Sequence, residues 1–253
     1  MAKRSKVVLF LVEGPSDESA LIAPFASLWN AHGVCSGAVV ESEAFFCDVT
    51  TVHLFGSEVD FTITNSVLKN VHNLIAGRIE RKHTYDWKDL VRVVHIVDLD
   101  GVFVPSSCIR PGTRSGFHYG DDFIEAPDTS DVVLRNQVKA AALRRLVATS
   151  ALRHGKRNIP YGVFFVSRNL EHALYGLPRD FSEDEKERLS IAFGEKYKGD
   201  PEGFARLLRS EEVRVPGESH ADTWRYAQKG TNSLKRGSNL HLLIDEFEDC
   251  DNG

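Results

Sequence analysis

Val7-Val8-Leu9-Phe10-Leu11-Val12 runs without a polar side chain into Glu13-Gly14-Pro15-Ser16. A continuous apolar, partly β-branched run of this length fits a strand buried on both faces, as in a parallel sheet; a strand with one wetted face would alternate. Gly14-Pro15 breaks the run. Ser16 is placed to cap a helix, and Leu21, Phe25 and Leu28 at helical spacing carry that helix to about Ala31. The unit is strand, tight turn, helix.

The same pattern recurs further along. Val91-Arg92-Val93-Val94-His95-Ile96-Val97 leads into Asp98-Leu99-Asp100-Gly101, and Tyr161-Gly162-Val163-Phe164-Phe165-Val166 forms a third run. Leu68, Val71, Ile75 and Ile79 predict a helix over residues 66–82. Residues 132–152 read as another, with Arg145 lying in its apolar stripe. The Gly-, Pro-, Ser- and Asp-rich stretch 105–129 reads as loop with a short extended piece over 117–126. Ser182 opens an acidic helix, Pro201 a short one, and residues 238–247 a last. Strands alternating with helices give an α/β fold with a mainly parallel sheet flanked by helices, and a helical C-terminal or inserted subdomain. Residues 1–171 are expected to form the core, with 172–253 packing on or completing it.

With 253 residues, 42% hydrophobic and 26% charged, the chain can bury a sizeable core. No apolar run approaches the roughly 18 residues that cross a bilayer. The basic opening Met1-Ala2-Lys3-Arg4-Ser5-Lys6 precedes an apolar run too short for a signal peptide, so a cytoplasmic location without membrane contact is expected. Cys35, Cys47, Cys108 and Cys250 form no CxxC pair, and the ten histidines form no HExxH, which leaves oxygen ligands for any metal. Net charge is −5, yet no acidic residue lies between Asp131 and Glu171, where Arg135, Lys139, Arg144, Arg145, Arg153, Lys156, Arg157 and Arg168 all fall.

Ligands of an open parallel sheet collect beyond the carboxyl ends of its strands. Glu13 follows the first strand, and Asp98 and Asp100 close the second. Strand alternation would turn both aspartates to one side with Leu99 away. Three carboxylates at one mouth repel each other unless a cation sits among them, and a hard ion such as Mg²⁺ held there can bind phosphate and activate a nucleophile. This reading requires that the acids reach one ion; it collapses if Glu13 lies far from Asp98 and Asp100 or if any of them is buried against a permanent Arg or Lys partner.

Val12-Glu13-Gly14-Pro15-Ser16-Asp17 resembles the Glu-containing first motif of Toprim domains, and Val97-Asp98-Leu99-Asp100-Gly101 resembles their DxD motif. Ser167-Arg168-Asn169-Leu170-Glu171 is similar to the later acidic element of OLD-type Toprim nucleases. The resemblance implies a Mg²⁺- or Mn²⁺-dependent nuclease acting on DNA or RNA. Asp98, Asp100 and Glu171 would hold metal, with Asp17 as a further ligand or a helix cap, and Glu13 would be a ligand or general base. It also implies, for small stand-alone members, a role as an anti-phage effector beside an ABC-type ATPase, with self-association left open. The chain has no Walker loop, primase zinc ribbon or topoisomerase tyrosine context, which favours an effector nuclease or RNA-processing enzyme over a primase or topoisomerase. The alternatives are an RNA-processing or tRNA-cleaving enzyme, strand joining or nucleotidyl transfer, and a toxin-like subunit dormant until a partner releases it. Arg110, Arg114, His118, Lys139, Lys156 and Arg168 are the expected phosphate contacts.

Overall fold

The elements in chain order are β1 (Lys6–Val12), α1 (Pro15–Ala31), β2 (Ala38–Ala44), α2 (Thr62–Lys82), β3 (Leu90–Asp98), β4 (Ile109–Pro111), β5 (His118–Tyr119), β6 (Ile124–Ala126), α3 (Thr129–Val147), β7 (Ala151–His154), β8 (Arg157–Val166), α4 (Leu170–Tyr175), α5 (Glu183–Lys198), α6 (Pro201–Arg209), α7 (His220–Ala227) and α8 (His241–Glu248). The structure, a computed structural model, describes residues 6–31, 38–44 and 62–248. Cys35, Cys47 and Cys250 lie outside them, and Cys108 is a free thiol.

The main sheet has the order β2-β1-β3-β8-β7. Its first four strands are parallel, and β7 closes one edge as the antiparallel arm of a hairpin with β8. Both faces are covered, as unbroken apolar strands require. Val7, Leu9 and Leu11 of β1 face one core with Val71 and Ile75 of α2, Leu143 and Leu146 of α3, and Trp224 of α7. Val8, Phe10 and Val12 face the other with Leu21, Phe25 and Trp29 of α1, Tyr197 of α5, Phe204 of α6 and Leu243 of α8. The period of two along β1 thus decides which helix each side chain meets. No helix among the described residues is long and apolar enough to cross a membrane.

The fold is the expected α/β class, with local differences. The helix expected over 132–152 stops at Val147, because residues 151–154 pair with β8 instead. Arg145 is exposed near that end and so takes no place in the buried stripe. The extended piece expected at 117–126 is two strands, β5 and β6, which join β4 in a small second sheet around Ile124, Ala126, Val132 and Leu234. Helix α1 begins at Pro15, a residue suited to a first helical position, rather than being capped by Ser16.

Residues beyond 171 cover the sheet. The Trp224 indole N–H donates to the Val163 carbonyl at 3.1 Å, and Asn239 Oδ1 accepts from the Phe165 amide at 2.7 Å. Helix α5 lies directly on α1: a Cβ added at Gly194 would stand 2.1 Å from the Ser19 carbonyl oxygen. A Gly194→Ala substitution is therefore expected to push the two helices apart at a cost of about 1–3 kcal/mol, read as a lower midpoint in thermal or denaturant unfolding; an unchanged midpoint would show that the contact yields freely.

Candidate functional site

Strands β1, β3 and β8 are neighbours pointing the same way, so their carboxyl ends open onto one mouth. A cavity of about 400 Å³ lies there. Its lining includes Glu13, Asp17, Asp98, Asp100 and Glu171, which is every acid expected to hold metal. Glu13 follows β1, Asp17 sits in the first turn of α1, and Glu171 is buried at the start of α4. The opposite wall comes from Tyr119 and from the segment Arg179-Asp180-Phe181, with Glu183 and Lys186 of α5.

Local backbone geometry aims the DxD pair. Strand β3 ends at Asp98, and Asp100 lies beyond it with φ 47°, followed by Gly101 at φ 66°. The two aspartates therefore share the cavity through a left-handed turn and not through strand alternation, while Leu99 is fully buried in the core. Glycine is needed at 101 twice over, since a Cβ there would also meet Leu234 at 2.6 Å. The turn is pinned by its neighbour: the Leu99 and Asp100 amides donate to the carbonyls of Val166 and Arg168 at 3.0 and 2.9 Å. Arg168 is itself left-handed, at φ 61°, a conformation that non-glycine residues hold only under constraint.

Helix α3 supplies the cations that hold this turn. The buried Arg135 guanidinium donates to the Asp100 carbonyl at 2.8 Å, to the Tyr119 hydroxyl at 2.7 Å and to Asn136 Oδ1 at 2.7 Å. One helical turn on, Lys139 is completely buried; its ammonium lies 2.8 Å from Asp100 Oδ2 and 3.7 Å from Glu13 Oε1. This is a buried lysine partner on two of the three proposed ligands, the arrangement that counts against a free carboxylate triad.

The remaining acids carry more negative charge than Lys139 balances. Asp98, Asp17 and Glu171 make no ion pair among the described residues. Burial, then the charges of Asp17, Glu13 and Asp100, hold the Asp98 carboxyl well above its ordinary range. Burial pushes Asp17 up to about 7, with Glu171 and Asp100 adding to the shift, although the Gly14 amide donates to its Oδ2 at 2.8 Å and opposes it. That hydrogen bond is the first-turn role expected of Asp17, and the cavity lining is the other. At the rim, burial works against the charge on Lys186, but Glu183, Glu171 and Asp98 more than offset it and keep it protonated.

The donor set suits a hard divalent ion in kind: all oxygens, converging, and mutually repelled without a cation. As they stand, no three described His, Cys, Asp or Glu side chains are gathered closely enough to hold one ion. Lys139 occupies part of that role. An ion held by one or two carboxylates with waters, as Mg²⁺ commonly is, needs fewer protein oxygens at once.

The expected phosphate contacts separate. His118 is near the rim, its ring nitrogens 3.3 Å from Asp180 and 2.9 Å from the Ser115 carbonyl. Arg110 and Arg114 are exposed and pair with Glu125 at 3.0 and 3.8 Å, outside the cavity lining. Three are corrected as phosphate contacts at this cavity. Lys139 is buried and spent on Asp100. Arg168 is buried and donates to the Pro178 carbonyl, so it braces the loop. Lys156 lies in the β7–β8 turn, at the far end of a ten-residue strand from the cavity.

Arg135, Asn136, Tyr119, Asn169, Arg179 and Lys186 were not singled out from sequence. Arg135 and Lys139 stand four apart in the acid-free block, a spacing that puts both on one helix face, but nothing in the sequence says that this face is buried under the DxD turn. Residues 179–186 reach the cavity only because α5 packs on α1, a long-range contact with no local signature.

Replacing Lys139 by Met leaves Asp100 and Glu13 without this buried counter-charge, an expected loss of about 1–3 kcal/mol in unfolding free energy; an unchanged unfolding midpoint would show that the lysine carries no electrostatic load. For Asp17 the folded pKa lies above the unfolded one, so the stability it contributes is complete below pH 4 and is lost as pH rises through about 7. Asp17→Asn is expected to flatten the fall in melting temperature between pH 5 and 8, and an unaltered slope would place that titration elsewhere. Comparison of the chain with protein-family models, curated proteins and solved structures finds no match, so its own residues carry the functional reading.

Proposed function

We propose that the chain is a Mg²⁺- or Mn²⁺-dependent nuclease that hydrolyses phosphodiester bonds of DNA or RNA in the cavity at the carboxyl ends of β1 and β3. One observation carries this reading: Glu13, Asp17, Asp98, Asp100 and Glu171, from separate parts of the chain, line one cavity beside the buried Lys139 ammonium, and burial and like-charged neighbours oppose ionisation of Asp98. Such a cluster costs folding stability, and a cation-binding role accounts for its presence.

Asp98, Asp100 and Glu171 would hold the ion, with Asp17 behind them; when bound, it would supply charge to the phosphate and lower the pKa of a water. Glu13 sits on the floor with 15% of its side chain exposed, open enough to accept a proton from that water. Lys139, already shared between Glu13 and Asp100, keeps both carboxylates oriented. Arg179 and Lys186 on the opposite wall place positive charge where the outer oxygens of a phosphodiester would lie.

The hold of Lys139 on Asp100 also favours a second reading, a site dormant in the isolated chain and released when a partner moves α3. An ATPase partner of the kind implied by the Toprim resemblance, in an anti-phage setting, is one candidate. Purified protein is to be incubated with plasmid, linear DNA, single strands and tRNA in Mg²⁺, Mn²⁺ or chelator. The expected result is cleavage that chelator abolishes and that Glu13→Gln reduces by a factor of 100 or more without lowering the melting temperature. Cleavage by Glu13→Gln at the parent rate would remove Glu13 from the mechanism, and an inert parent chain would favour the dormant reading.

A further inference from the structure

The acid-free block of the sequence divides between the two ends of the sheet. Arg135, Lys139 and Arg168 serve the carboxylate turn, whereas Arg153, Lys156 and Arg157 are exposed at the amino end. Topology explains the split. The β7–β8 turn lies at the amino end; Lys82 at the end of α2 and Lys88 just before β3 arrive there from a different part of the chain. The Arg157 guanidinium ties two of these segments together by donating to the Lys88 and Leu90 carbonyls. The acids nearby are fewer: Glu80, Asp86 and Asp89, with Asp86 3.8 Å from Lys88.

We propose that this amino-end face is a second nucleic-acid-binding surface, which grips phosphates without reading sequence while the carboxylate cavity acts on the same strand. It rests on the proposed nucleic-acid substrate but not on the chemistry of the cavity. Helix-dipole complementation accounts for Lys82, which ends a helix, but not for Lys88, Arg153, Lys156 and Arg157, which do not. A protein partner would need an apolar centre to its interface. The face offers none, since the one large hydrophobic residue exposed among those described is Ile191, on α5. Phosphates need only the cations.

A second cavity, of about 310 Å³, runs along α3 from Arg144 past Gln137 to Asn136, with Gln228 on its far wall and no acidic residue in its lining. Asn136 donates to the Gly101 carbonyl at 3.4 Å, so this groove ends behind the DxD turn. The ten residues of β8 set the separation of the two ends at about 30 Å, or roughly nine nucleotides of a strand stacked as in a duplex.

The test measures binding separately from cleavage. Labelled 20-nucleotide single-stranded DNA and RNA are titrated in chelator with the parent chain, with Arg153→Glu/Lys156→Glu and with Lys82→Glu/Lys88→Glu, each checked for parental melting. The expected result is affinity at least tenfold weaker for both double variants, with a shallower salt dependence. Affinity and salt slope unchanged in both, no binding of either oligonucleotide by the parent, or preferential capture of polyglutamate would each overturn the proposal. Cleavage of the same oligonucleotides in Mn²⁺ separates the two claims. Cutting with unchanged variant affinity defeats the surface alone, and charge-dependent binding without any cutting defeats the nuclease reading alone.

Discussion

The structure depends on one uneven electrostatic arrangement, in which several carboxylates crowd at the ends of parallel strands around a single buried ammonium. Asp98 and Asp17 lie where burial and like charges oppose ionisation, and Lys139 pairs with Asp100 and Glu13. Much nearby architecture serves to keep this arrangement in place. Arg135 clamps the Asp100 carbonyl and Tyr119, while Arg168 takes a strained left-handed conformation that offers its carbonyl to the Asp100 amide. Strain and buried charge are thus concentrated at one spot, held there by the hydrogen bonds that Arg135 and Arg168 make to Asp100.

Sequence reading reached the sheet because its strands are unbroken apolar runs, and it reached the acids because each lies at the end of such a run or just beyond. Strand ends are fixed by local composition, so Glu13, Asp98 and Asp100 could be placed at one mouth from the chain alone. The means by which Asp100 joins Asp98 was misread. Alternation needs a strand, and the left-handed turn at residues 100 and 101 is set by Gly101 and by bonds to Arg168, a residue 68 positions away in the sequence. Lys139 was misread for a related reason: charged side chains on helices are mostly solvated, and only packing of α3 behind the turn reveals that this one is not.

The acid-free stretch was visible as composition, but its meaning depends on direction. A helix leaving the mouth and a hairpin returning toward it carry like-charged residues to opposite ends of the sheet, so one contiguous basic block becomes two features with different uses. Proximity in sequence had suggested Lys156 as a contact near the cavity, and the strand between them removes it. The helices beyond residue 171 illustrate the same limit. Their amphipathic patterns and caps were legible, whereas the wall they lend the cavity through Arg179 and Lys186 follows from packing on α1.

The central claim is that the carboxylate cavity binds a divalent cation. Titrating Mn²⁺ into the metal-free chain while following the free-ion signal by electron paramagnetic resonance tests it directly, because the readout needs no substrate and no partner protein. Saturable loss of that signal in the parent chain, abolished in a folded Asp98→Asn variant, is the predicted result. No uptake by the parent, or uptake that the substitution leaves unchanged, would contradict the claim.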